Sequence, residues 1–160
     1  AARQTAVWDH CLQRLYGAGI WNRLEVGDLA NARELVEAAK RLEEERRMCT
    51  VCSLQLYPAL AAFHLASGNL ETAWAYTEKA QQLAEMGHNR AGQAQVLRVR
   101  GEIHAARGEP TEAGACLTQA ADIFRELDQR YDLAQTLRIW GELPTGTNSE
   151  VQRGGGTQAC

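Results

Sequence analysis

Few residues in this chain are of types and spacings that could do chemistry. Cys49-Thr50-Val51-Cys52 is a CxxC, and Cys11 and His10 fall near it when the sequence is shifted by 41 positions. A thiolate pair alone does not complete the four tetrahedral positions of a zinc site, and there is no second CxxC. The pair reads instead as two small buried residues one helical turn apart. His64 and His104 lie 40 residues apart, and no Ser or Cys nucleophile is patterned with them. They read as packing residues. The glycine run that follows Arg153 lacks the Lys-Ser/Thr of a phosphate-binding loop. Nothing assembles a nucleophile, a base and an oxyanion site, so the chain reads as a non-enzyme without metal or cofactor.

The elements that position these residues follow a ruler. Leu65-Ala66-Ser67-Gly68-Asn69-Leu70-Glu71-Thr72-Ala73 reads as a helix end, a glycine turn and a helix start. It comes back around Gly108 and has an earlier copy around Gly27. Glycines 27, 68 and 108, and alanines 32, 73 and 113, are spaced by 41 and then 40 residues. A further shift of 40 pairs Leu97 with Leu137, Arg98 with Arg138, Gly101 with Gly141 and Glu102 with Glu142. A fixed period of this size marks a stacked helical repeat.

Composition agrees with helices. Of 160 residues, 45% are hydrophobic but only 6% aromatic, so the core must be mostly Leu and Ala. The net charge of −3 argues against nucleic-acid binding as the main activity, because phosphate contacts need a concentrated positive surface. No apolar run approaches the ~20 residues that span a bilayer. The N-terminus has no signal-peptide pattern. Five cysteines, an odd number set mostly in helical patterns, suit a reducing cytoplasm better than a disulfide framework.

The apolar spacing predicts helices over 7–25, 29–47, 48–67, 70–86, 91–107, 110–128 and 131–143. Trp8, Cys11, Leu12, Leu15 and Tyr16 form the apolar stripe of the first, which should bend or loosen at Gly17-Ala18-Gly19. Asp28 is the expected N-cap of the second. Its end, Glu43 to Arg47, reads as a solvated face of acid-before-base pairs. Pro58 should kink the third helix. Pro110 sits where a helix start tolerates it, and Pro144 ends the last helix. Residues 1–6 read as a lead-in, 7–144 as one repeat domain, and 145–160 as a disordered tail.

The unit resembles the tetratricopeptide repeat. The large position of its first helix is Tyr57, Leu97 or Leu137, and the small position is Ala61, Gly101 or Gly141. The small residues of its second helix are Ala73 and Ala80, then Ala113 and Ala120. The period of about 40 exceeds the standard 34, the first copy has Ile20 at a small position, and the usual closing proline is missing. Long repeats of this kind resemble the sensor arrays of bacterial STAND-type regulators, LuxR-type activators and ATPase-linked cyclases. The resemblance implies an all-α, right-handed α-solenoid of about three helix pairs plus a capping helix. It further implies a cytoplasmic interaction scaffold, the sensor module of a larger bacterial regulator. Its partner would be a protein, a peptide or a small effector on the concave face, with no direct contact to nucleic acid or membrane. The alternative is a self-association module that forms a homodimer. Groove positions carried over from the family are Gln55, then Gln95, Arg98 and Glu102, then Gln135, Arg138 and Glu142. Arg98 and Arg138, one repeat apart, would clamp a carboxylate of the ligand. Trp21 could add an apolar contact, although core packing fits it better.

Small residues at these positions imply tight helix contacts. Ala73→Leu is expected to overpack one of them and cost about 1–3 kcal/mol, measurable by urea denaturation.

Overall fold

The computed structural model describes residues 2–45 and 49–143, with the side chains of 2–10 excepted. Seven α-helices account for nearly all of it: α1 (Ala2–Glu25), α2 (Leu29–Glu44), α3 (Thr50–Ala66), α4 (Leu70–Met86), α5 (Arg90–Arg107), α6 (Pro110–Glu126) and α7 (Arg130–Gly141). The expected helices are all present, with ends moved by a few residues. The largest shift is at α1, which starts at Ala2 and absorbs the expected lead-in. The expected tail at 145–160, and Arg46 and Arg47, lie outside the described residues. The chain divides into two compact units, residues 1–88 and 89–160.

One turn recurs between helices. Gly27, Gly68 and Gly108 have φ of +72°, +78° and +76°, the left-handed conformation that glycine adopts without steric cost. The next residue then donates its backbone N–H to a carbonyl one turn back: Asp28 to Arg23, Asn69 to His64 and Glu109 to His104, at 2.8–2.9 Å. This bond satisfies a carbonyl that the helix end would otherwise leave unpaired. His88 and Asp128 take up the same left-handed conformation without being glycine. Asp28 caps α2 as expected, its carboxylate accepting from the Asn31 N–H at 3.2 Å.

In the first unit α1 packs on α2 and α3, α2 on α3, and α3 on α4. Ala32, Val36, Ala39 and Leu42 form the buried stripe of α2, and Ala73, Thr77, Ala80 and Ala84 that of α4. The stripe expected on α1 is wrong in part. Cys11 and Leu15 are exposed, and Gln13, Gly17 and Ile20 are buried instead. The reason is the contact that α1 makes at Gly17. A Cβ there would lie 3.1 Å from the Gln55 carbonyl oxygen, so the two backbones meet directly. The glycines therefore do not break α1, which is continuous. They let it approach α3, and Gly19 likewise gives room to the Leu35 side chain. Buried Gln13 accepts from the Cys49 N–H at 3.2 Å and so supplies a partner at the start of α3. The α-helical assignment of α3 runs on through Pro58, which is buried inside it.

In the second unit α6 packs on both α5 and α7. Ala94, Ala120 and Phe124 are fully buried, with Leu97, Ile123 and Leu133 against them. Ala113, Leu117 and Leu143 form a neighbouring cluster with Ala105, Ile139 and Trp140. A Cβ on Gly101 would come within 2.6 Å of Leu117 Cγ and 3.2 Å of the Ala113 carbonyl oxygen. Gly141 has the opposite surroundings: among the described residues nothing lies within 4 Å of such an atom.

The two glycines make a matched test. Gly101→Ala should cost about 1–3 kcal/mol through overpacking. Gly141→Ala should gain about 0.5–1 kcal/mol from helix propensity alone. Denaturation midpoints of the two variants moving in the same direction would contradict this packing.

Candidate functional site

Gln95, Arg98 and Glu102 sit on α5 at spacings of three and four, which places them on one face. Gln135, Arg138 and Glu142 repeat the pattern on α7 and its end. The second unit brings four of these six into one electrostatic cluster. Arg98, Arg138 and Glu142 all act on the Glu102 carboxyl. Gln55 belongs to the first unit, where it is exposed and accepts from Arg14 Nε at 3.3 Å.

The two arginines are not equivalent. Arg98 is buried, its Nη1 donating to Asp132 Oδ1 at 3.1 Å and its guanidinium lying 5.9 Å from the centre of the Phe124 ring. It ties α5 to the first turn of α7. Arg138 is exposed; its Nη1 donates to Glu142 Oε1 at 2.9 Å and its Nε to Gln135 Oε1 at 3.3 Å. Exposed pairs of this kind contribute only a few tenths of a kcal/mol. A ligand can therefore exchange for them at little cost, whereas drawing Arg98 away would strip Asp132 of its buried partner.

Glu102 is partly buried beside these groups. Burial pushes its carboxyl up to about 7, against the pull of Arg98 and Arg138 and with a smaller push from Glu142. Near neutral pH it can thus donate a hydrogen bond when protonated or accept one when ionised.

The first unit holds a cluster that the sequence reading missed. Glu43 was expected on a solvated face. It is partly buried and accepts from Lys79 Nζ at 2.6 Å, Tyr76 Oη at 3.4 Å and Tyr57 Oη at 3.5 Å. The Lys79 ammonium also lies 4.9 Å from the Tyr76 ring centre and 5.5 Å from that of Tyr57. The signal was the aromatic pair on α3 and α4, but its partners are 14 to 36 residues from Glu43 in sequence. His64 stacks on Tyr76 at 5.5 Å, and among the described residues neither ring nitrogen has a hydrogen-bond partner. Burial holds its imidazole below the usual histidine range. His104, 40 residues on, bonds Glu109 Oε2 at 2.6 Å, so the two histidines sit in different environments. Trp21 is partly buried.

Cys49 stands at the N-cap position of α3, Cys52 is buried on that helix, and neither is in a disulfide. Burial pushes the Cys52 thiol up, which makes it a poor nucleophile. Cys116, buried on α6, is disulfide-bonded, a departure from the expectation that the cysteines stay reduced. Among the described residues no group of three or more His, Cys, Asp or Glu could hold a metal ion, and no helix is long and apolar enough to cross a membrane. No protein-family model matches the chain, and neither a curated protein nor a solved structure shows significant similarity to it.

Glu102 gives a pH prediction. Its carboxyl titrates near 4.5 when unfolded and near 7 when folded. The folded state therefore holds a proton that the unfolded state has released between these values. The associated stability is complete below pH 4.5 and is lost as pH rises through about 7, by at most about 3 kcal/mol. Glu102→Gln should remove that loss. Its melting temperature relative to the parent should climb between pH 5 and pH 8, as read by thermal denaturation across that range.

Proposed function

We propose that this chain is a helical-repeat interaction module, a right-handed solenoid of tetratricopeptide-like pairs, that binds a peptide segment of a protein partner on the polar face of α5 and α7. The reading extends to context: the sensor part of a larger cytoplasmic bacterial regulator, in which ligand binding biases an inactive–active equilibrium.

The observation that carries it is the charge cluster of Arg98, Glu102, Arg138 and Glu142, built from the same residue types at the same spacing on two helices of one unit. Arg98 fixes the geometry through Asp132. Arg138 and Glu142 offer a guanidinium and a carboxylate held by weak exposed bonds, and Glu102 switches between donor and acceptor near neutrality. Gln95 and Gln135 add amide groups of the kind that pair with an extended backbone. Such an arrangement suits the alternating charges and amides of a polypeptide better than one carboxylate clamped between two arginines, because Arg98 is already committed.

A peptide-display selection on the immobilised protein tests this. Selected peptides should bind the parent in solution and lose about tenfold or more in affinity, about 1.4 kcal/mol, with Arg138→Ala or Glu102→Gln. Arg41→Ala on α2 should leave them unaffected. Peptides indifferent to the first two variants would rule out this face.

A further inference from the structure

The CxxC at the start of α3 takes no part in the polar face of α5 and α7, and its surroundings suit thiol chemistry. A helix N-cap is ordinarily Ser, Thr, Asp or Asn, whose oxygen accepts from a backbone N–H of the first turn. Here the position holds Cys49, whose side chain makes no such bond. Its backbone is held firmly instead. The Cys49 N–H donates to buried Gln13 Oε1 at 3.2 Å, and the Cys49 carbonyl accepts from the Ser53 N–H and the Ser53 Oγ, both at 2.9 Å. Cys49 is partly exposed rather than buried, and Thr50 and Val51 beside it are exposed, Val51 by 72%. Cys52 lies one turn on, buried, with its thiol hydrogen-bonded to that of Cys49. Helix geometry puts two such Cα atoms about 5 Å apart, inside the span that a disulfide bridges. Arg14 of α1 acts on the Cys52 sulfur as a positive charge. A partly exposed sulfur at a helix N-terminus, in a CxxC and near a guanidinium, is in the kind of environment where thiolates attack.

We propose that Cys49 and Cys52 form a thiol–disulfide exchange site, which takes a low-molecular-weight disulfide as substrate and closes to an internal disulfide. Cys49 is the attacking sulfur, because it is the one that solvent reaches. Its sulfur joins one sulfur of the small disulfide, whose S–S bond breaks. The other half leaves as a thiol, with the proton that Cys49 gave up. The second step belongs to Cys52. Its sulfur displaces the half held on Cys49, so the Cys49–Cys52 bond forms, the mixed disulfide breaks, and the Cys52 proton goes to the departing sulfur. Two electrons pass from the protein pair to the small disulfide. One small disulfide and two protein thiols thus give one protein disulfide and two small thiols, and excess small thiol reverses both steps. Burial and the bond to Cys49 push the Cys52 thiol up, which fits a group that attacks only its neighbour. None of these residues belongs to the cluster of Arg98, Glu102, Arg138 and Glu142, so the exchange site is independent of the proposed peptide site.

The test uses the intact chain in mixtures of oxidised and reduced glutathione, quenched in acid, alkylated and mapped by mass spectrometry. Trypsin cuts after Arg47 and Lys79, so one fragment, 48–79, carries both cysteines and no other. With oxidised glutathione in excess that fragment should become two hydrogens lighter and resist alkylation, and reduced glutathione should reverse the change. In Cys52→Ser it should stop with glutathione on Cys49. In Cys49→Ser its uptake of glutathione should slow about tenfold or more. Cys11→Ser should behave as the parent. Closure should be faster in the folded chain than in urea, whereas a pair that is merely packed would react more slowly when folded. Four results would overturn the inference: a fragment still alkylated at both cysteines in the oxidising mixture; a bridge from Cys11 to either cysteine; Cys52 taking up glutathione as fast as Cys49 in the two single variants; or closure no faster in the folded chain than in urea. The first and last need no substitution and decide the matter even if a serine variant fails to fold.

Discussion

Gly101 stands where the backbone of α5 meets α6, and the second unit depends on that closeness. A single added carbon would collide with Leu117 and press on the Ala113 carbonyl. With none present, Leu117 seats against the α5 backbone and its neighbours Ala113 and Ala120 close in. Gly17 does the same for α1 and α3, where the obstacle would be the Gln55 carbonyl. Interiors packed to crystal-like density have few ways to accommodate such a carbon except by moving a helix. The small residues are therefore what sets the distance between helices, and the larger Leu and Phe side chains fill what that distance leaves.

Left-handed turns deliver the helices to those contacts. The links at Gly27, Gly68 and Gly108 use a residue that adopts positive φ freely, while His88 and Asp128 adopt it at a steric cost. Gln129, just after Asp128, donates to the Phe124 carbonyl at 2.9 Å, so that link also closes its helix end. It is this turn that sends α7 back along α6 and sets Asp132 opposite Arg98.

Electrostatics then divides one set of similar residues into different roles. Arg98 and Arg138 lie 40 residues apart in the same local pattern, yet one is buried on Asp132 and the other is exposed beside Glu142. Glu102 carries the cost of burial and keeps its proton to near neutrality, while its counterpart Glu142 lies in solvent. The difference comes from position: α5 has a helix against its Ala94–Gly101 face, and the same face of α7 is open among the described residues.

The sequence by itself determined the helices, the turn glycines, the Asp28 cap and the alanine stripes of α2 and α4, because each follows from local propensity or from the 3.6-residue period. It also placed Gln95, Arg98 and Glu102, and Gln135, Arg138 and Glu142, on shared faces. It did not reveal that Gly17 marks a helix contact, that Gln13 is buried, that Glu43 joins Tyr57, Tyr76 and Lys79, or that Arg98 is committed to Asp132. Each of these is a meeting of residues 14 or more positions apart, where burial and partner are settled by the distance between helices. Periodicity shows which residues share a face. Only the packed structure shows which faces are covered, and that decides which of two identical side chains is buried in the fold and which lies in solvent.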